Sequence, residues 1–231
     1  MSIFTYAQDF IRLLYPNNCK VCQTPLAKGE SVICSFCTYD LPKTNYHKDL
    51  ENPMSKLFWG KLPIEHATAF IFFEKGNKTQ TLIHQLKYKN LPEIGKHLGV
   101  LFGNDLKNCT HFNNVDVVIP VPLHPKKELK RGYNQCKMLA ESIAMGLNKP
   151  VETNVLFKNL ENSTQTKKNR QARWDNVQGA YFVTNSKDLT DKHILLIDDV
   201  VTTGATTEAC AIELLKIKGV KVSIAVLAMA K

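Results

Sequence analysis

The sequence predicts an α/β fold: a mainly parallel, doubly wound sheet preceded by a small cysteine module. Short apolar runs alternate along the 231 residues with longer segments whose apolar residues recur at helical spacing. This alternation is typical of parallel sheets with helices on both faces. Four cysteines near the start form two C-x2-C pairs. A polar loop of small residues follows the buried run Ile194 to Ile197, where open α/β sheets bind ligands.

The first segment, MSIFTYAQDFIRLLYP, is apolar in part but contains Asp9 and Arg12. It has no basic leading region and no small-residue cleavage site, so it predicts a short amphipathic helix. The sequence shows no apolar run long enough to cross a bilayer, and we expect a cytoplasmic protein without a membrane span. The net charge of +9 is consistent with anionic partners, either nucleotides or nucleic acid.

The cysteine module contains two knuckles that can bring four thiolates to the corners of a tetrahedron. Its ligands would be Cys19, Cys22, Cys34 and Cys37. Zn²⁺ is the expected metal because so short a segment has little core of its own, and four cysteine ligands make a closed, structural site. A redox disulfide pair is the alternative. The other cysteines, Cys109, Cys136 and Cys210, are scattered and are expected to include small core hydrophobes.

Polar residues and two prolines make Asp40 to Leu62 a connector between two parts of the chain. We therefore divide the chain into an N-terminal helix and zinc-finger-like module at 1–45 and a larger domain at 63–231. Predicted strands in the larger domain are Ala67 to Phe73, Val115 to Ile119, Val155 to Phe157, Ala180 to Val183, His193 to Ile197 and Val220 to Leu227. Helical spacing predicts two helices separated near Asn90 to Pro92 and a third carrying Cys136, Leu139, Ile143 and Leu147 on one face.

Two adjacent carboxylates, Asp198 and Asp199, end the buried run. Such a pair can accept hydrogen bonds from two vicinal hydroxyls. The small residues that follow let the backbone curl around an anion at a helix N-terminus; they are Thr202, Thr203, Gly204, Ala205 and Thr206. The stretch therefore predicts a site for a phosphorylated sugar, the alternative being an ordinary threonine-capped turn.

A basic loop between Pro120 and Gln135 leaves the carboxyl end of its own strand and should meet the aspartates at one crevice. Its cations are Lys126, Lys127, Lys130 and Arg131. They suit a diphosphate, and Gly132 permits close backbone approach. A solvated basic turn is the alternative reading.

The polar stretch Asn159 to Arg173 cannot contribute to a core and has the length of a lid that closes over a ligand. Its candidate contacts to departing phosphate oxygens are Gln165, Lys167, Lys168, Arg170 and Arg173. A merely solvated basic loop remains the alternative. Of the other polar candidates, His124 is better placed for a ligand than His84, Lys87 and Tyr88, for which a boundary role on a helix is expected.

Taken together and in this order, the motifs resemble the ComF/GntX family. They are the paired cysteines, LIHQLKY at 82–88, PVPLHPKKELKRGYNQ at 120–135, TQTKKNRQARWDNVQGAYFV at 164–183 and ILLIDDVVTTGATT at 194–207. The resemblance implies a zinc-finger-like N-terminus on a type I phosphoribosyltransferase fold, in the cytoplasm and linked in many bacteria to natural competence. One departure is lysine at 126 and 127, where arginine is expected in many relatives. Lysine keeps the charge but loses bidentate phosphate contacts.

The resemblance also assigns roles to residues. Asp198 and Asp199 would hold the ribose of phosphoribosyl pyrophosphate (PRPP), and Thr202, Thr203, Gly204, Ala205 and Thr206 its 5-phosphate. If the protein is a transferase, we expect the pyrophosphate to lie against Arg131, Gly132 and Asn134, with Mg²⁺ bridging it to the ribose. We then expect Arg131, Lys168 and Arg170 to stabilise the leaving pyrophosphate.

Two functions of different class follow. The first is a phosphoribosyltransferase, a glycosyltransferase that releases pyrophosphate. The second is a non-catalytic single-stranded-DNA-binding protein of the same fold, and a third reading combines them with PRPP as a regulatory ligand. For DNA, the candidate backbone contacts are Lys126, Lys127, Lys130, Lys167 and Lys168, and the candidate base-stacking residues are Tyr133, Trp174, Tyr181 and Phe182. Proteins of the competence machinery, helicase-like ones among them, are possible partners.

Overall fold

The computed structural model describes residues 15–74, 76–159 and 179–231. The predicted N-terminal helix, the lid residues Gln165, Lys167, Lys168, Arg170 and Arg173, and Trp174 lie outside this part of the chain. The helices are α1 Ser35–Tyr39, α2 Pro53–Lys56, α3 Lys78–Tyr88, α4 Pro92–Lys107, α5 Pro125–Arg131, α6 Gln135–Leu147 and α7 Ala205–Leu215. The strands are β1 Ala67–Phe73, β2 Val117–Pro120, β3 Leu156–Lys158, β4 Tyr181–Val183, β5 His193–Val201 and β6 Lys221–Ala230.

The central sheet has four strands in the order β1-β6-β5-β2, and each neighbouring pair is parallel. This confirms the predicted α/β class with a mainly parallel sheet. Alternate residues of β5 enter different cores: Leu195 and Ile197 pack with α3, α4 and α6, whereas Ile194 and Leu196 pack with α7. Because side chains alternate along a strand, this division places helices on both faces of the sheet.

Close helix packing supports the face formed by α4 and α6. A Cβ added at Gly103 would lie 3.0 Å from the carbonyl oxygen of Ile143, and one at Gly146 would lie 3.1 Å from the carbonyl carbon of Gly103. The two glycines therefore let the backbones approach more closely than larger residues would allow. The helical segments that carry these contacts are the ones that the apolar spacing predicted.

The strands β3 and β4 form a separate antiparallel pair. The prediction that 155–157 and 180–183 complete one alternating strand set is therefore wrong. Each strand is only three residues long, and the rings of Phe157 and Phe182 stack on one another with centroids 5.6 Å apart. Cross-strand contacts of this kind stabilise the two-stranded hairpin, which is not part of the central sheet.

The predicted connector packs against the main domain. Pro42 accepts a hydrogen bond from the amide of Phe72 at 2.9 Å, and the Thr44 amide donates to Phe70 at 3.0 Å, so this segment pairs antiparallel with the edge strand β1. Farther on, Met54 and Phe58 are at most 1% exposed and join the core beside α7. The apolar residues of this segment follow neither strand nor helix spacing and lie among prolines and polar residues, which is why the sequence suggested a bare connector.

Candidate functional site at the carboxyl edge of the sheet

The two aspartates lie at the carboxyl end of β5, as predicted, but within the strand. Because consecutive strand residues point to opposite faces, the pair divides its contacts. Asp198 is 6% exposed and contacts Cys136 of α6. Asp199 is half-buried and contacts Lys87 of α3. The two side chains therefore have different direct partners, but an oxygen of each lies within 4.8 Å of the other and of the Cys136 sulfur.

Asp198 is enclosed by protein. Its Oδ1 atom accepts a hydrogen bond from the Asp199 amide at 2.8 Å and from the Cys136 thiol at 3.4 Å. Burial, followed by the adjacent negative charge of Asp199, raises the pKa of Asp198 to about 7. The thiol of Cys136 is buried beside both carboxylates, and its pKa is raised chiefly by burial. The sequence suggested a core hydrophobe at Cys136, and the structure adds a direct contact with the site.

Asp199 forms an ion pair that sequence reasoning missed. The ammonium of Lys87 lies 3.1 Å from Oδ1 and 3.0 Å from Oδ2 of Asp199. The side chain of Lys87 is 20% exposed and that of Asp199 is 13% exposed. Lys87 belongs to the LIHQLKY segment, but a lysine at the end of an amphipathic helix carries no signal that specifies a partner 112 residues away.

The turn after α5 lies against the end of α3. The Tyr133 hydroxyl donates to the carbonyl of Leu86. Arg131 stacks over the Tyr88 ring at 5.4 Å and donates to Gln135 Oε1 at 2.8 Å. These contacts bring the candidate pyrophosphate turn next to the helix that carries Lys87.

Asn134 and Gly132 shape that turn. The side chain of Asn134 caps α6 by accepting from the Cys136 amide at 2.9 Å, and its Nδ2 donates to the carbonyl of Val121 at 3.2 Å. Gly132 ends α5 with φ +82°, a conformation that favours glycine. Both residues therefore shape the backbone of the turn, and Arg131 is its charged group.

The basic segment before this turn is helical, so its description as a loop is wrong. His124 caps α5 by accepting from the Lys126 amide at 3.1 Å, and Pro125 occupies the first turn. His124 is 7% exposed, and its Nε2 atom has no hydrogen-bond partner within the described residues. Lys126, Lys127 and Lys130 are exposed on α5. A helix without buried residues has no apolar periodicity by which to be predicted.

The small-residue loop turns sharply into α7. Gly204 is the N-cap residue with φ +80° and has no side chain to cap the helix. A Cβ at this position would lie 3.3 Å from the ring of Phe58. Thr202, Thr203, Ala205 and Thr206 are exposed. The first N–H groups of an α-helix have no intrahelical acceptor, so this turn offers an anion several donors together with the helix dipole.

Lys158 and Tyr181 of the hairpin border the same site. Lys158 was not predicted there, and Tyr181 was predicted only as a base-stacking residue for DNA. Lys158 Nζ lies 3.2 Å from the hydroxyl oxygen of Tyr181. Burial, assisted by the positive charge of Lys127, lowers the pKa of Lys158, while the negative charge of Asp198 opposes this change. Burial also raises the pKa of Tyr181 well above its ordinary value, with the charges of Cys210 and Asp198 adding to the effect.

A second cluster contains the four predicted cysteine ligands, whose sulfur atoms all lie within 4.8 Å of one another. The sulfurs of Cys22 and Cys34 are 3.7 Å apart, close to the roughly 3.8 Å expected for a tetrahedral Zn–S₄ site. The Cys19 sulfur accepts from the amides of Val21 and Cys34 at 3.4 and 3.3 Å. The cluster can therefore hold a metal ion. Among the described helices, none has the length and apolar character needed to span a membrane.

Comparison with known proteins identifies a phosphoribosyl transferase domain at residues 133–231. The DNA utilization protein YhgH of Escherichia coli O157:H7 is 26% identical over 219 residues, which are 88% of this chain and 93% of that protein. Competence protein ComFC of Bacillus subtilis is 26% identical over 204 residues, which are 86% of this chain and 79% of that protein.

Among solved structures, the B. subtilis glutamine PRPP amidotransferase complexed with ADP and GMP superposes with a TM-score of 0.41. The match has 18% identity and covers 62% of this chain and 30% of that one.

The parallel sheet and the matched domain define a phosphoribosyltransferase-like protein with a cysteine cluster near its start. The matched region contains the aspartate pair and the Gly204 turn, whereas Lys87, Arg131 and the four clustered cysteines lie before it. The chain is similar to YhgH and ComFC over most of its length, which agrees with the resemblance to the ComF family that its motifs indicated.

Proposed function

We propose that the carboxyl edge of the sheet binds PRPP together with Mg²⁺. The observation that carries the proposal is the placement of two carboxylates and an anion-binding helix N-terminus on one strand-to-helix junction, at Asp198, Asp199 and Gly204. A sugar phosphate combines a vicinal diol and a phosphate, and these two groups match the carboxylates and the helix N-terminus.

In this proposal Asp198 and Asp199 hold the ribose hydroxyls. The 5-phosphate lies in the turn formed by Thr202, Thr203, Gly204, Ala205 and Thr206. The pyrophosphate lies toward Arg131, Gly132 and Asn134. Mg²⁺ suits such a site because it binds substrate phosphates and keeps several waters, so no protein cage of carboxylates is needed.

We further propose transfer of the phosphoribosyl group to a nucleophile with release of pyrophosphate. Arg131 would stabilise charge on the departing group, assisted by Lys168 and Arg170 of the segment outside the described residues. Fixed cations near a departing phosphate favour the transition state without reorganisation. The buried surroundings of Asp198 would hold the ribose in one orientation.

For the cysteine cluster we propose a structural Zn²⁺ held by Cys19, Cys22, Cys34 and Cys37. We assign the module to residues 1–45 and the phosphoribosyltransferase-like domain to 63–231. One zinc per chain, measured by elemental analysis and lost in a Cys34→Ser variant, would support this assignment. A zinc-free native protein with reducible disulfides would contradict it.

The relatives' names suggest a biological setting. One relative is named for DNA utilization and another for competence, so we propose that this protein takes part in the handling of incoming DNA. That role would place it in the cytoplasm, alongside helicase-like proteins of the competence machinery.

The second candidate function is direct binding of single-stranded DNA without catalysis. It is favoured by the exposed cations Lys126, Lys127 and Lys130 on α5 and by the ring of Phe182, which is 43% exposed. Tyr133 is half-buried and Tyr181 is 5% exposed, so these two rings offer bases less surface. A basic groove flanked by aromatic rings is the usual arrangement for single-stranded nucleic acid.

A thermal unfolding series tests the PRPP proposal. A ligand present at 100 times its dissociation constant stabilises the native state by about 2.7 kcal/mol. We therefore expect PRPP with Mg²⁺ to raise the Tm of the wild type by roughly 5–10 °C, and to leave the Tm of Asp199→Asn unchanged. The control Asp188→Asn removes an exposed carboxylate before β5, at the opposite end of the strand, and should respond as the wild type does.

The same series separates the two candidates. No shift in the wild type, together with oligonucleotide binding that survives Asp199→Asn, would favour the DNA-binding function. A shift that persists undiminished in Asp199→Asn would place the PRPP site elsewhere and contradict the proposal.

A further inference from the structure

The ammonium of Lys87 faces both oxygens of Asp199. Its Nζ atom is 3.1 Å from one oxygen and 3.0 Å from the other, so it spans the edge of the carboxylate. A vicinal diol or a divalent cation that engages both oxygens uses this same edge. The ion pair therefore covers the part of Asp199 that a ligand needs.

The position of Lys87 is fixed by its helix. Leu82, Ile83 and Leu86 of α3 are at most 4% exposed and bury this helix in the core. The Tyr133 hydroxyl holds the Leu86 carbonyl one residue before Lys87. The helix therefore fixes the backbone of Lys87, so that only side-chain freedom is lost when its ammonium pairs with Asp199.

The surroundings also make the cation necessary. Asp198 and Asp199 are adjacent carboxylates in a largely protein-enclosed place, and among the described residues Lys87 makes a direct ion pair with Asp199. The charge of Lys87 also acts on Asp198, whose pKa it lowers against the larger effect of burial. Removing one partner of a largely buried pair leaves a charge without compensation. A vacant carboxylate pair would then attract another cation.

We propose that Lys87 is the resident counter-ion of the aspartate pair, and that a divalent cation or a ribose diol reaches Asp199 only by displacing it. The inference rests on the proposed PRPP function for its biological meaning. It adds an order of events: the metal enters with the sugar phosphate and does not bind first. The released ammonium then lies beside the Arg131 turn, where it can pair with the phosphate oxygens of the ligand.

Binding of Mn²⁺ alone tests the inference, with the free ion followed by electron paramagnetic resonance. Wild type is expected to show no saturable Mn²⁺ binding that depends on Asp199. Lys87→Met should show saturable Mn²⁺ binding, at least ten-fold tighter than the residual binding of wild type, and adding Asp199→Asn should abolish the gain. Lys87→Arg keeps the cation and should behave as wild type.

Lys89→Met is the matched control, because Lys89 is an exposed lysine two residues farther along and its loss changes net charge equally. Equal Mn²⁺ affinities in Lys87→Met and Lys89→Met, with native circular dichroism, would overturn the inference. Tight Mn²⁺ binding by wild type that is lost in Asp199→Asn would also overturn the inference, because it would show that Lys87 does not keep the metal from Asp199. None of these titrations contains PRPP, so a protein that fails to bind PRPP but passes them refutes the proposed function alone.

Discussion

Asp198 and Asp199 differ in what surrounds them although they are adjacent in sequence. Asp198 is enclosed by α6 and the hairpin, whereas Asp199 has a cation from α3. The structure keeps the two carboxylates close together by burying Asp198 and pairing Asp199 with Lys87.

We predict that the free energy of unfolding falls as pH rises between about 4 and 7 because of Asp198. Its pKa is about 7 in the folded protein against an ordinary 3.8, so the folded state keeps a proton that the unfolded state loses in this window. Asp198→Asn cannot ionise. At pH 8 it should be more stable than wild type, by an amount on the order of 2–4 kcal/mol, and the difference should shrink toward pH 4.

Urea unfolding at several pH values measures this difference. Asp188→Asn, which changes an exposed carboxylate, should show no comparable trend. A constant difference between Asp198→Asn and wild type from pH 4 to pH 8 would contradict the prediction.

Gly204 combines a left-handed backbone with a crowded neighbour. Gly204→Ala should destabilise the protein by about 1–2 kcal/mol, because φ is +80° and the new Cβ would meet the Phe58 ring at 3.3 Å. It should also weaken PRPP binding, since the turn must shift. Gly60→Ala is the control: Gly60 has φ +72°, but an added Cβ would meet no atom within 4 Å. This variant should therefore show only the destabilisation caused by backbone strain. Equal PRPP affinities in the two variants would contradict a phosphate role for this turn.

At the scale of elements, α3 joins the two candidate sites. Gln85 donates from Nε2 to the carbonyl of Lys20 at 2.9 Å, between the first two cysteines, and Lys87 pairs with Asp199 two residues farther along. Core residues Cys19 and Cys37 lie in the same apolar cluster as Leu86. The cysteine module therefore supports the helix that reaches the aspartates.

We predict that removing the metal from the cysteine cluster lowers both Tm and PRPP affinity. Without the metal the knuckle that accepts from Gln85 loses its fixed shape, and α3 loses support on that side. Calorimetry before and after chelation, with metal restored afterwards, measures the effect. Gln85→Ala should lower PRPP affinity in the same direction while the metal content stays unchanged. Unaltered PRPP affinity in the metal-free, folded protein would show that the module and the site are independent.

The sequence predicted elements best where apolar periodicity was strong. The strand at 67–73 agrees with prediction because its buried residues form one uninterrupted apolar run. The helices α3, α4 and α6 agree because their buried residues repeat at helical spacing. The helix α5 was missed because it has no buried residue. The hairpin was misassigned because local apolar runs do not determine which strands pair.

At the scale of the whole molecule, the parallel topology brings distant segments to one edge. The sequence predicted the meeting of the 120–135 and 198–206 segments, because the carboxyl ends of parallel strands share an edge. It could not predict that Lys87 pairs with Asp199 or that the Phe58 ring packs against Gly204. Those contacts depend on how α3 and the segment before β1 pack, which no local pattern records.

The exposed lysines of α5 allow a test of whether the whole protein binds single-stranded DNA through this helix. If α5 contacts a single strand, replacing Lys126, Lys127 and Lys130 by glutamine should reduce the slope of log affinity against log salt by up to about 2. Fluorescence anisotropy of labelled oligo(dT) measures that slope. The control replaces Lys187, Lys192 and Lys218, exposed lysines near the amino ends of β5 and β6. Equal slopes for the two triple variants would exclude a specific role for α5.

We propose that the carboxyl edge of this sheet binds PRPP through its aspartate pair. Calorimetric titration of PRPP with Mg²⁺ into wild type and Asp199→Asn is the decisive measurement. We predict saturable binding of one PRPP per chain in the wild type and no detectable binding in the variant. Absence of saturable heat in a folded, metal-loaded wild type would contradict the claim.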